Sequence, residues 1–359
     1  FRAVYSEEFD MPGGQPFGLL IGNYEFDVTP RDTELLTGIS IVAAAAFAPF
    51  VAAAGPEILG GEEQYPSFDR DRLDQLERAR TGAAWIKWNK LRDKDESRFL
   101  GLVVPRILMR VPYRDTALRT DGFRFNEEVA GPDNSKWLWG IGAFAVGEVA
   151  IRSFHESGWL ASIRGAQVGK RTGGLVTRLP ACWIETDRHG VAPRSPTDVL
   201  ITEQQERGVA KLGLVPLCAS RDTPFPVFYS VPSLQKPKQL DQQTANTNAL
   251  MSSMLQYVLC ASQFARQLKV IVRDKIGNTT DPSEVERQLN EWLAHYITTV
   301  ADASVETRAR YPLREGLVRV VPHAARPGMY HCSIYLMPHF ELDDLTAAIR
   351  LTTELEPKA

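Results

Sequence analysis

Cysteine is scarce: four in 359 residues, at Cys182, Cys218, Cys260 and Cys332, separated by 36, 42 and 72 positions. That spacing contains no CxxC pair and no dense disulfide framework, so a reducing cytoplasm is the expected setting. A strong charge of either sign is also missing. Lys and Arg total 41 against 44 Asp and Glu, a net charge of −3. That balance gives no support for a general nucleic-acid or membrane-surface binder. No long apolar run is present either. The most apolar stretch, 39–55, is rich in alanine, is broken by Pro49, and falls short of the ~20 residues a bilayer span needs. The N-terminus carries Glu7, Glu8 and Asp10 where an export signal would be basic. The chain opens at Phe1 without Met, so further residues are expected upstream.

The marks of catalysis are absent as well. None of the six histidines, His155, His189, His295, His323, His331 and His339, forms HExxH or HxxxH. The last three recur every eighth position, which is not a zinc spacing. Neither GxSxG nor a GxGxxG after a strand occurs. Gly165 to Lys170 imitates a phosphate loop, but only three residues separate its glycines and Arg171 stands where Ser or Thr would hold magnesium. Ser233-Leu-Gln-Lys236 matches SxxK without its companion motifs. No catalytic, metal or cofactor residue is expected. The rival class, a soluble hydrolase on Ser233 and Lys236 or a nucleotide binder on Lys170, has only these fragments behind it.

What is present suits a folded chain of about two domains. Hydrophobic residues make up 44%, and 16 Phe, 7 Trp and 10 Tyr are enough to fill a core. The fold class expected is α+β, mixed sheets with packed helices, divided as 1–240 and 241–359. Residues 17–21 read as a buried strand, with Gly22-Asn23 as a turn. Asp32 reads as the N-cap of a helix running into the alanine-rich stretch. A helical pattern spans 69–91, followed by the mixed-sign run 92–96, read as a solvated surface. The run 99–104, closed by Pro105, reads as a buried strand. Residues 137–154 suggest a closely packed helix. Thr202 with Gln205 makes a capping box, and the five prolines within 216–237 suggest strands and ordered loops where one domain gives way to the next.

The last third is the most legible. A long apolar stripe runs from Met251 to position 272. Asp281-Pro282-Ser283-Glu284 starts a second helix. Residues 317–321 and 330–337 flank Pro327-Gly328 and should form a hairpin. Leu345, Ala347, Ile349 and Leu351 alternate with Thr346, Ala348, Arg350 and Thr352 as a final strand. A free strand of this kind invites pairing with a neighbouring subunit. Arg266, Lys269, Arg273 and Lys275 follow the long helix as a basic edge that could meet acidic groups of a partner.

Several segments together resemble one family: Trp85-Ile-Lys-Trp-Asn-Lys-Leu-Arg92, Arg98-Phe-Leu-Gly-Leu102, Pro105-Arg106, Ser233-Leu-Gln-Lys-Pro-Lys238, Lys269 to Gly277, Tyr335-Leu-Met-Pro-His-Phe340 with Leu342, and Ile349-Arg-Leu351. In combination they resemble the large subunit of the bacterial type VI secretion contractile sheath, from Phe17-Gly18 to the C-terminus. Members usually carry a hundred or more residues before this point, and the segment near Gly173-Gly174 is less glycine-dense than in the family. The resemblance implies a structural part, not an enzyme. It also implies partners: a small sheath subunit in an obligate heterodimer, further copies in a helical sheath, an inner tube protein, a baseplate and an AAA+ disassembly ATPase. The C-terminal domain resembles that of contractile phage tail sheaths, which leaves a self-sufficient phage-type sheath as the nearer alternative.

Overall fold

A computed structural model describes residues 17–61, 73, 75, 76, 78, 80–115, 120–129, 133–166, 171–180, 195–220, 225–276, 281–300, 303–322, 330–339 and 349–355. Strand β1 (Leu20–Phe26), helix α1 (Pro30–Ala46) and strand β2 (Phe50–Ala54) open the chain. They form a parallel crossover unit, Leu20 pairing with Phe50 and Phe26 with Ala54. Helix α2 (Ala83–Arg92) leads to β3 (Leu100–Val104), which lies parallel to β2, and β6 (Val215–Pro216) completes a sheet of order β1-β2-β3-β6. A two-stranded ribbon, β4 (Ile107–Leu108) with β5 (Trp139–Gly140), precedes helix α3 (Ala143–Ser157), and α4 (Glu203–Lys211) precedes β6.

Local chemistry sets several boundaries away from their sequence-based positions. Gly22 lies inside β1 rather than in a turn: a Cβ there would meet the Phe50 ring at 2.4 Å. The strand therefore passes over that ring with an irregular register between Ile21 and Glu25. Thr29, not Asp32, caps α1; its Oγ1 accepts the Asp32 amide at 3.1 Å, and Pro30 occupies the first turn. Asp32 is buried, its carboxylate accepting from the Tyr24 hydroxyl at 3.2 Å and the Asp27 amide at 3.1 Å. The alanine-rich stretch is divided. Phe47 takes φ 49° and ends α1, and after Pro49 the run Phe50–Ala54 becomes a strand with four of its residues buried. Burial between two layers overrides alanine's helical preference.

The helical pattern of 69–91 is likewise interrupted. Leu73, Gln75, Leu76 and Arg78 are helical, but Gly82 at φ +108° separates them from α2. The packed helix expected over 137–154 begins only at Ala143, because Trp139–Gly140 pairs with β4. The capping box is present, the Thr202 amide donating to Gln205 Oε1 at 2.8 Å.

The C-terminal part comprises α5 (Gln243–Ser252), α6 (Leu255–Ile276), α7 (Pro282–Ala294), α8 (Val305–Arg310), β7 (Leu313–Pro322), β8 (Tyr330–Pro338) and β9 (Ile349–Leu355). Asp281 caps α7, accepting the Ser283 amide at 3.0 Å. β7 and β8 form the expected hairpin, longer than foreseen on the β7 side. Its Pro327-Gly328 turn lies outside the described residues.

Among the described residues three large clusters make the core, with a small fourth of Leu108 and Trp137. One covers a face of the parallel sheet with Leu36, Trp88, Leu91 and Leu212. A second covers the other face with Val146, Val149, Phe228 and the first turns of α6, Leu255 and Leu259. The third lies between α6, α7 and the antiparallel sheet and takes in Phe47, Phe99 and Trp159. Helix α6 thus belongs to two cores. Trp159 stacks on Phe264 at 4.1 Å, edge-on to Tyr296 at 5.0 Å. Gln263 locks the joint, donating to the Gly158 carbonyl at 2.7 Å and accepting the Leu160 amide at 3.1 Å.

Candidate assembly surface

The antiparallel sheet has order β7-β8-β9, so it presents two edges. Those edges differ chemically. On β7, outward backbone groups at Val318 and Val320 are taken by side chains of α7. Asn290 Nδ2 donates to the Val318 carbonyl at 2.8 Å, and its Oδ1 accepts the Val318 amide at 2.9 Å. Two residues on, Glu286 Oε2 accepts the Val320 amide at 2.8 Å. The amide of Thr298 adds a bond to the Leu313 carbonyl at 2.9 Å. A primary amide that donates and accepts at one residue imitates a neighbouring strand. The β7 edge is thus obstructed to strand addition at Val318 and Val320.

At the other edge β9 runs antiparallel to β8, with Ile349 opposite Leu336 and Leu351 opposite Ile334. Leu336 and Ile334 are themselves buried. Among the described residues no strand lies beyond β9. Leu345 and Ala347, expected in the same strand, lie outside the described residues.

The basic edge expected on α6 is not a uniform surface. Arg266 is buried at 3% exposure and donates to the Phe47 carbonyl. That carbonyl ends α1, where unpaired acceptors and the negative end of the helix dipole favour a cation. Arg266 therefore holds α1 to α6 within the chain, which corrects its reading as a surface group. Lys269 lies partly exposed with its ammonium 5.9 Å from the Phe47 ring. Arg273 and Lys275 fall in the last turn of α6, and their side chains lie outside the described residues.

The mixed-sign run after α2 is also partly internal. Arg92, at 6% exposure, donates to the carbonyls of Leu234 at 3.0 Å and Lys211 at 3.2 Å. Asp95 receives Gln235 at 3.1 Å and Lys238 at 3.0 Å; these contacts, Lys238 foremost, hold its carboxyl below the usual range. Two of the stretches that carried the family resemblance, 85–92 and 233–238, are thus bound together. Arg106 grips Glu25 through two bonds of 2.6 and 2.7 Å, and its backbone amide donates to Asp198 at 2.9 Å. Burial pushes the Asp198 carboxyl up to about 7 despite the neighbouring Arg106.

Ser233 is buried, and its hydroxyl accepts the Gln235 amide at 3.3 Å, while Lys236 is exposed. The two are not brought together as a nucleophile and base. Lys170 lies outside the described residues. Burial pushes the thiols of Cys260 and Cys332 up to about 12, and that of Cys218 higher still; all three are free and buried. No cluster of metal-ligating side chains occurs among the described residues. No helix among them is long and apolar enough to cross a membrane. On the outside, α3 turns Phe144, Ile151 and Phe154 to solvent, Ile151 at 73% exposure. An apolar strip of that kind marks a contact surface more often than bare solvent.

Residues 1–235 match the EvpB/VC_A0108 tail sheath N-terminal domain family, and residues 244–355 match its tail sheath gpW/gp25-like domain. The chain is 38% identical over 357 residues to the type VI secretion system sheath protein TssC1 of Pseudomonas aeruginosa strain PAO1, covering 99% of this chain and 70% of that protein.

Proposed function

Because the chain belongs to the EvpB/VC_A0108 tail sheath family of type VI secretion sheath proteins, we propose that it is the large subunit of a contractile sheath. In this reading it pairs with a small sheath subunit in the bacterial cytoplasm. The pairs stack with further copies around an inner tube on a baseplate, and contraction drives the tube outward. An AAA+ ATPase then dismantles the spent sheath. The chain acts by packing and not by catalysis.

One observation carries the reading: the sheet is obstructed at β7 by Asn290 and Glu286, and among the described residues no strand lies beyond β9. A sheet closed on one side and continuing on the other adds strands in one direction only, which is what a polar stack of subunits requires. Backbone pairing also tolerates sliding and hinging better than a close side-chain fit. Strands shared between subunits can therefore stay joined while the rest repacks. Lys269, Arg273 and Lys275 supply weak, screened contacts to acidic groups of a neighbour, the kind of contact that releases readily.

Truncation after Asp344 tests this. Co-expressed with the small subunit, the shortened chain should stay folded, as judged by far-UV circular dichroism and protease resistance, yet form no filaments under negative stain. Intact filaments from the truncated chain would refute the role of the terminal strand.

A further inference from the structure

The parallel sheet ends at β1, and among the described residues no strand lies on that strand's outer side. The Leu20 amide and the Phe26 carbonyl turn inward, to Pro49 and Gly55 at the two ends of β2. Alternation therefore turns the backbone groups of Ile21 and Glu25 outward. Two helices overhang this edge, one on each face of the sheet. On α3, Phe144, Gly147, Ile151 and Phe154 share a flank at helical spacing. Gly147 fixes where that flank lies, since a Cβ there would meet Ile21 Cδ1 at 2.7 Å. The opposite flank is tied elsewhere: Arg152 donates to the Gly173 carbonyl at 2.7 Å, and Glu148 accepts the Thr177 amide at 2.9 Å. On α1, Asp32, Leu35, Ile39 and Val42 share a flank, placed beside β1 by the bond from the Tyr24 hydroxyl to Asp32. The other side of α1, at Ala44, packs into the C-terminal core. Leu35, Val42, Phe144, Ile151 and Phe154 are all exposed.

The slot between the two overhangs has a floor of backbone groups and apolar walls. Water satisfies the floor but leaves the walls wet. A helix would cover the walls but offers no ladder to the floor, because its own backbone is already paired. A strand answers both. Its composition follows from the walls. A strand covered on one face alternates polar and apolar residues, whereas one covered on both reads as a continuous apolar run. No run of five apolar residues occurs in the parts of this sequence that lie outside the described residues. We propose that β1 receives a strand from a sheath polypeptide of different sequence. That strand is an apolar run whose side chains fall alternately against Leu35 and Val42 of α1 and against Ile151 and Phe154 of α3. The assignment rests on the sheath reading only for the source of the strand. It concerns the parallel sheet and is independent of the β9 edge.

The test uses filaments of the wild-type chain formed with the small subunit proposed as its partner. Negative stain scores filament formation first, so a failure of the sheath reading is seen separately. Hydrogen exchange, resolved to single amides by fragmentation mass spectrometry, then reads the edge. The amides of Ile21 and Glu25 should exchange about tenfold more slowly, or slower still, in filaments than in the unassembled chain. p-Benzoylphenylalanine at position 42 and, separately, at position 151 should form adducts with one and the same apolar segment, at sites within about three residues of each other. Ile151→Lys, at an exposed site, should leave the melting temperature unchanged yet cut filament yield roughly fivefold, because assembly would bury its ammonium against the added strand. Fast exchange of both amides in well-formed filaments would overturn the proposal. So would adducts to two unrelated segments, to a segment carrying charges, or to this sequence or a stretch upstream of it in the same polypeptide. Undiminished filament yield in Ile151→Lys would overturn it as well. Where the bulk of the probe prevents assembly, the exchange of the wild-type filaments decides.

Discussion

At the scale of single residues, two buried charges do opposite work. Asp198 sits against the Arg106 backbone in a setting that raises its carboxyl to about 7. A carboxyl whose folded value lies above its unfolded value of about 4 binds its proton more tightly when folded. It therefore stabilises the fold at low pH and loses that contribution as pH climbs from about 4 to about 7. Urea unfolding at pH 5 and pH 8 should show Asp198→Asn lacking this part of the pH dependence, while the wild type is relatively more stable at pH 5. Identical pH profiles would contradict the assignment. Arg266 gains its place by satisfying the carbonyl at the end of α1. Arg266→Ala should cost about 1.5–3 kcal/mol, the worth of a hydrogen bond to a charged group, read as a lower urea midpoint before any assembly. A variant as stable as the wild type would return Arg266 to the surface.

At the scale of elements, the sheet edge sealed by α7 rests on few atoms. Asn290→Ala leaves the Val318 amide and carbonyl without their partners and should destabilise the protein by about 1–3 kcal/mol. It should also expose β7 as a second edge, so light scattering of the variant should rise faster on storage than that of the wild type. Unchanged stability would show that water replaces the Asn290 amide at no cost. None of this was legible in the sequence, since an Asn in a helix gives no sign of which strand it will face. What was legible had a local cause. Asp281 before Pro282, and Thr202 with Gln205, cap their helices through contacts within four residues. Thr29 was hidden by the more conspicuous Asp32, which is drawn away by Tyr24 and Asp27. The alanine run misled because its strand state depends on partners in β1 and β3, one of them some fifty positions away. The basic edge of α6 failed at Arg266 for the same reason: its partner lies 219 residues earlier.

At the scale of the whole molecule, α6 is shared between two cores and bonded at Gln263 and Arg266 to the parts before it. Force applied to the C-terminal sheet would pass along that helix into the parallel sheet. A machine of many such subunits needs only a few kcal/mol between two packings of each, because the difference sums along the stack. Specific motifs scattered from Trp85 to Leu351 marked the family, yet the sheet edges proposed for assembly emerged only from the register of β7, β8 and β9. The most direct measurement is cryo-electron microscopy of filaments formed by this chain with the small subunit proposed as its partner. The account predicts a neighbour's strand hydrogen-bonded along the outer side of β9, with Asn290 and Glu286 still covering β7. A β9 edge left facing solvent in a well-ordered sheath, with subunits joined through other surfaces alone, would contradict it.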